Sequence, residues 1–184
     1  HRRPRQKCDP DHHTLDALER ALEPLPVRRV GFGYRSGGRR VPPPRAERLV
    51  PHIAEQAAAL CAEESIDPAS LVLGGRSMGG RVCSLAAADG LAAAGLILLS
   101  YPLHPPRRPE QLRVAHFGRL TVPCLFVSGD RDPFGTPEEF AAHTAAIPGA
   151  VTRVQLAGRG HDTRPSDDDA VVAAVRRWLA GPAG

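Results

Sequence analysis

Short, continuously apolar runs separated by stretches of helical periodicity limit what this chain can fold into more than any other feature. The runs fall at residues 27–34, 71–73, 96–99, 124–127 and 151–156, and helical patterns occupy 14–25, 46–64, 78–89, 137–147 and 167–179. A strand with one wet face alternates apolar and polar residues, whereas a strand that is apolar throughout must be covered on both faces. The pattern therefore predicts the α/β class: a doubly wound, mostly parallel sheet with helices on both faces. At 184 residues one core suffices, so a single domain is expected over 11–184, preceded by an irregular segment over 1–10.

Local signals sharpen the element ends. Thr14 reads as the N-cap of the first helix, whose Leu15, Leu18, Leu22 and Leu25 keep near-helical spacing. Thr136-Pro137-Glu138-Glu139 offers a cap, a first-turn proline and an N3 glutamate, and Ser166 followed by three aspartates reads as a second cap. Residues 35–45 form a loop by glycine and proline content, and Asp67-Pro68 marks a turn.

In a parallel sheet the functional loops lie beyond the carboxyl ends of the strands. Each chemically capable residue is therefore tested by whether it directly follows a strand. Ser77 passes, in Gly75-Arg76-Ser77-Met78-Gly79 between a strand and a helix. A G-x-S-x-G in that context presents its serine on a sharp turn, and side chains at Gly75 and Gly79 are expected to collide with the neighbouring strand and helix. The Met78 amide, at the helix start, is placed to donate to a developing oxyanion.

A serine hydroxyl needs a base, and the base an orienting acid. Of eight histidines, His161 follows the last strand in Gly158-Arg159-Gly160-His161, whereas His52 and His143, within helices, and His12 and His13, ahead of one, read as solvated surface histidines. The run Ser128-Gly129-Asp130-Arg131-Asp132-Pro133 supplies two acids. Asp132, ahead of a proline that fixes the loop, is favoured; Asp130 reads as a turn former or an arginine partner, and Asp162 is too near His161 in sequence to orient its ring.

The order Ser77, Asp132, His161, with "GGRSMGGRV", "YPLHPP", "PCLFVSGDRDPFGTPEE" and "GRGHD" in sequence, resembles a small α/β-hydrolase of the dienelactone-hydrolase-like kind. Within that group it is similar to bacterial relatives of the testis-expressed and NSL-complex hydrolase-like proteins, over roughly residue 11 to the end. The resemblance implies a serine esterase or related acyl hydrolase acting through an acyl-enzyme, with no metal and no organic cofactor. Tyr101 and His104, after a strand, are candidate pocket residues, with packing of a proline-rich loop as the alternative.

The resemblance also implies upstream strands, one ending in a His-Gly-Ala-Gly type loop that supplies a second oxyanion amide. The corresponding place here reads Arg5-Gln6-Lys7-Cys8-Asp9-Pro10, and the sequence starts at His1, so a truncated copy lacking N-terminal strands is expected. The absent strand would lie between residues 27–34 and 71–73, leaving a gap or forcing those two to pair. Losing one oxyanion donor typically costs about 100- to 1,000-fold in turnover, which keeps a catalytically impaired scaffold or protein-interaction module as the alternative reading.

Composition excludes other classes. The net charge of +4 and seven arginines between Arg28 and Arg48 suggest nucleic acid, yet only Lys7 is lysine and the aromatic residues are one Trp, two Tyr and five Phe, so no nucleic-acid partner is expected. The longest apolar run, around residues 91–99, is too short for a bilayer, so no membrane partner is expected either. Cys8, Cys61, Cys83 and Cys124 lack metal spacing and read as free thiols of a cytoplasmic protein. The expected partner is a small acyl substrate; oligomeric state is not encoded.

Overall fold

The computed structural model describes residues 12–32 and 44–181. Its sheet has four parallel strands in sequence order: β1 (Val72–Arg76), β2 (Gly95–Leu99), β3 (Cys124–Gly129) and β4 (Val151–Leu156). Parallel neighbours need crossovers, supplied by α3 (Met78–Ala88) between β1 and β2 and α4 (Pro137–Thr144) between β3 and β4. Helices α1 (His13–Leu22) and α2 (Val50–Glu64) precede the sheet, and α5 (Asp168–Leu179) follows it.

Strand alternation sorts the apolar side chains into two layers. Leu96, Leu98, Cys124 and Phe126 point to one face and pack with Ala57 of α2, Cys83 of α3 and Phe140 of α4. Ile97, Leu99, Leu125 and Val127 point to the other, against Leu18 of α1 and Val171 and Val175 of α5. Every residue of β2 and β3 is buried, which is why those runs are apolar throughout, while edge strand β4 exposes Thr152, Arg153 and Gln155. Each large side chain so buried contributes roughly 1.5–3 kcal/mol. The α/β class with helices on both faces holds.

Several boundaries differ from the expected ones. β1 continues through Gly74, Gly75 and Arg76, which pair with Ile97, Leu98 and Leu99, so the glycines belong to the ladder and not to the turn. α1 begins at His13 with His12 as its cap, and Thr14 lies inside the helix, buried, its hydroxyl donating to Asp168 Oδ1 at 2.8 Å. α1 stops at Leu22 because Pro24 disfavours helix at the residue before it. The helix expected from residue 46 opens with a 3-10 turn, Ala46–Leu49, before α2. Thr136 caps α4 in a full capping box, as expected, although the helix ends at Thr144. Ser166 does not cap α5; Asp167 does the local work, accepting from the Arg164 amide at 2.8 Å and from Arg159 Nε at 2.7 Å.

The strand expected over 27–34 does not form in its described part, since residues 27–32 have no regular structure. Residues 33 and 34, most of the 35–45 loop, Cys8 and the whole 1–10 segment lie outside the described residues. Leu18, Val30, Phe32, Ile53, Val72 and Leu73 are among the residues lining an apolar cleft of about 700 Å³. Among the described residues, 27–32 do not pair with β1 or any other strand, and a segment with no partner in a ladder has no reason to hold strand geometry.

Candidate active site

Ser77 is the one residue between β1 and α3. Its φ of 53° and ψ of −115° lie where a non-glycine residue carries about 1–3 kcal/mol of strain. The surroundings enforce it: the Ser77 amide donates to the Leu99 carbonyl at 2.9 Å, and the Ser77 carbonyl accepts from the Arg81 amide at 3.2 Å. The turn closes so tightly that a Cβ on Gly75 would sit 2.3 Å from the Gly79 carbonyl carbon and 2.6 Å from the Gly80 amide. The expectation for Gly79 is corrected, because a Cβ there meets nothing within 4 Å; Gly80, whose Cβ would come 3.0 Å from the Gly75 carbonyl, faces the strand instead.

The loop after β4 brings His161 to the serine, with Nε2 2.9 Å from Ser77 Oγ. The loop after β3 brings Asp132 to the other ring nitrogen, Nδ1, at 2.9 Å from Oδ2 and 3.2 Å from Oδ1. An ionised carboxylate only accepts, so Nδ1 carries the proton and Nε2 is left with a lone pair for the Ser77 hydroxyl. The three residues are 8%, 6% and 2% exposed for Ser77, His161 and Asp132, so these bonds operate away from bulk water. Asp132 is itself held by the Phe134 amide, which donates to Oδ1 at 2.9 Å. Asp130 accepts from the Gly158 amide at 2.7 Å, tying the two loops together, and Asp162 pairs with Arg76.

Met78 opens α3, and the first amide of a helix has no acceptor within it. That N–H lies one residue from Ser77, at the positive end of the helix dipole. Tyr101 and His104 do not line an open pocket. Tyr101 is fully buried among Phe117 and Phe126, its hydroxyl donating to the Arg113 carbonyl at 2.7 Å. His104 is buried between the Pro105 carbonyl, 2.8 Å from Nδ1, and Glu139, 3.2 Å from Nε2. The loop after β2 packs these side chains inward. Ser77, Asp132 and His161 are also absent from the lining of the large cleft beside β1.

His12 and His13 are not solvated surface histidines. His13 Nδ1 is 2.8 Å from Asp168 Oδ2 and its Nε2 is 3.2 Å from the Thr163 carbonyl. Burial, reinforced by the charge of Arg76, lowers His12 to about 4. Cys61, Cys83 and Cys124 are free and buried, and burial pushes the Cys83 and Cys124 thiols up to about 12, where they behave as small apolar groups. Among the described residues no three His, Cys, Asp or Glu side chains gather where they would hold a metal ion, and no helix is long and apolar enough to cross a membrane.

A parallel sheet that presents a serine at a strained strand-to-helix turn, with imidazole and carboxylate delivered by two later loops, defines the α/β-hydrolase class. The chain belongs to the alpha/beta hydrolase domain family, whose profile matches residues 8–174. Among solved structures it is similar to an alpha-beta serine hydrolase homologue from Coxiella burnetii, at 20% identity and a TM-score of 0.65 over 89% of this chain and 76% of that one. It is also similar to a puromycin-hydrolyzing peptidase from Mycobacterium tuberculosis, at 20% identity and a TM-score of 0.57 over 71% of this chain and 24% of that one. An acetyl xylan esterase from Paenibacillus sp. R4 matches at 14% identity and a TM-score of 0.58, over 74% of this chain and 53% of that one. At these identities the likeness is one of fold.

Proposed function

We propose that the protein is a serine hydrolase cleaving an ester or related acyl bond of a small substrate through an acyl-enzyme. The observation that carries the reading is the continuous hydrogen-bonded chain from Ser77 Oγ through His161 to Asp132. In the first half-reaction His161 Nε2 takes the hydroxyl proton as Ser77 Oγ attacks the acyl carbon. The Met78 amide donates to the oxyanion, and Asp132 stabilises the imidazolium without taking its proton. Collapse breaks the bond to the leaving group, which leaves with the proton from Nε2. In the second half, water gives a proton to Nε2 and its oxygen attacks the acyl carbon; the ester to Ser77 breaks and the hydroxyl is reprotonated. No step calls for a metal or an organic cofactor.

The reading extends to the dienelactone-hydrolase-like group, whose four sequence segments are quoted above, and to a cytoplasmic setting, which buried unpaired thiols suit. The test is labelling with a fluorophosphonate, together with turnover of short nitrophenyl esters, by the wild type and by Ser77→Ala. Labelling and turnover that vanish in Ser77→Ala are expected. Equal behaviour of the two proteins would instead favour a fold kept as a protein-interaction module.

A further inference from the structure

We infer that Arg76 is a positioning residue for His161, a clamp by which the residue next to the nucleophile fixes the backbone of the base; this rests on the roles proposed above for Ser77 and His161. Arg76 is the last residue of β1, and its side chain is 6% exposed. Its Nη2 donates to the His161 carbonyl at 3.0 Å and also to the Asp162 carboxylate. One nitrogen thus bridges the main chain and a side chain of the loop that holds the imidazole.

Asp132 orients the His161 ring, but a ring bond does not fix the ring's Cα. The bond to the His161 carbonyl does, and its other end is covalently continuous with Ser77. The loop is pinned again one step further on, where Thr163 Oγ1 lies 3.1 Å from Thr14 Oγ1 and the Thr163 carbonyl lies 3.2 Å from His13 Nε2. Between these anchors the Cα of His161 has little freedom to drift from the serine.

Packing alone does not account for an arginine here. A buried guanidinium carries a desolvation cost, and Arg76 Nε is buried with no hydrogen-bond partner among the described residues. An apolar side chain of similar length would fill the same space at least as favourably. What arginine adds is a planar donor of fixed reach, and both bonds it makes end on the base's own loop.

The experiment compares the wild type with Arg76→Met, Arg76→Lys and Asp162→Ala. Three quantities are read: the thermal midpoint, kcat and KM on nitrophenyl acetate, and the far-downfield proton resonance of the His161–Asp132 hydrogen bond. Arg76→Met is expected to lower kcat by about 100-fold, the cost of a misplacement of about 1 Å. KM should stay nearly unchanged, because a group acting on the base alters the transition state more than the bound ground state. The downfield resonance should broaden or vanish, and Arg76→Lys should restore part of both signals.

A folded Arg76→Met with wild-type kcat and an intact resonance overturns the inference. If Arg76→Met does not fold, Asp162→Ala decides, since its side chain is largely exposed. A several-fold fall in kcat at constant KM supports the clamp, and no change removes it. A wild type that fails to hydrolyse esters would end the hydrolase reading, yet the dependence of the resonance on Arg76 would still decide the clamp.

Discussion

The ring of Phe134 lies against the imidazole of His161, with centroids 4.1 Å apart and 35° between the planes. Phe134 follows Asp132 by two residues, and its amide donates to the Asp132 carboxylate. One residue thus touches the base with its ring and the acid with its backbone. The stacking leaves Nε2 aimed at Ser77 and shields the imidazole face from water.

Truncation of that ring is the first prediction. Aromatic pairs contribute about 0.5–1.5 kcal/mol beyond the area they bury, so Phe134→Ala should lower kcat by roughly 2- to 10-fold. Phe134→Tyr should keep most of the activity. Steady-state turnover of nitrophenyl acetate measures both, and a Phe134→Ala enzyme as fast as the wild type would show that Asp132 alone holds the ring.

Asp132→Asn should be far more damaging. The amide has the size of the carboxylate but offers an N–H where His161 Nδ1 now donates, which favours the wrong tautomer and removes the lone pair from Nε2. In a serine triad that exchange costs about 10⁴-fold in kcat. Asp130→Asn, altering a carboxylate that accepts from Gly158, whereas the carboxylate bonded to His161 is that of Asp132, should leave kcat within a few-fold. Similar losses in the two variants would remove the distinction drawn between the aspartates.

Much of this was open to sequence reading, and the exceptions have physical causes. The strands β2 and β3 are legible because burial on both faces demands unbroken apolar runs. The convergence of Ser77, His161 and Asp132 is legible because each follows a strand in a sheet whose strands all run the same way. The extent of β1 is not, since Gly74 and Gly75 carry no strand signal and join the ladder through main-chain pairing alone. Residues 27–32 read as part of a strand but, among the described residues, have no ladder to join. Tyr101 and His104 show the limit of the positional test: following a strand fixes where the backbone goes, not whether the side chain turns toward substrate or core. Arg76 gives no local signal, because the carbonyl it holds lies 85 residues away.

The turn makes a prediction with an internal control. Gly75→Ala places a methyl 2.3 Å from the Gly79 backbone, with no flexible side chain there to yield, so β1 and α3 must separate. A loss of several kcal/mol, or failure to fold, is expected from such overpacking. Gly79→Ala puts its methyl in open space on a helix, where exchanging glycine for alanine gains up to about 1 kcal/mol. Urea unfolding of the two variants measures the contrast, and equal stabilities would show that the strand and helix are not in contact as described.

His116 couples pH to folding. Its ring is buried, with Nε2 2.8 Å from Ser84 Oγ. The Ser84 hydroxyl donates to the Arg81 carbonyl at 3.0 Å, so its oxygen is free to accept from the Nε2–H of a neutral ring. Burial first, then the charges of Arg119 and Arg81, lower His116 from 6.5 to about 4. In the unfolded chain the ring titrates near 6.5, so between about pH 6.5 and 4 the unfolded state holds a proton that the folded state lacks. Stability therefore rises with pH across that window: the contribution is complete above about pH 6.5 and is lost as pH falls toward 4. By pH 5 the loss from this one residue is about 2 kcal/mol. His12, lowered to about 4 by burial and Arg76, acts in the same direction. Urea unfolding at pH 7 and pH 5 should show the wild type weakening on acidification, and His116→Gln, which keeps a donor for Ser84 but cannot titrate, should weaken by about 2 kcal/mol less. An identical drop in both proteins would mean that the buried imidazole is not what senses the proton.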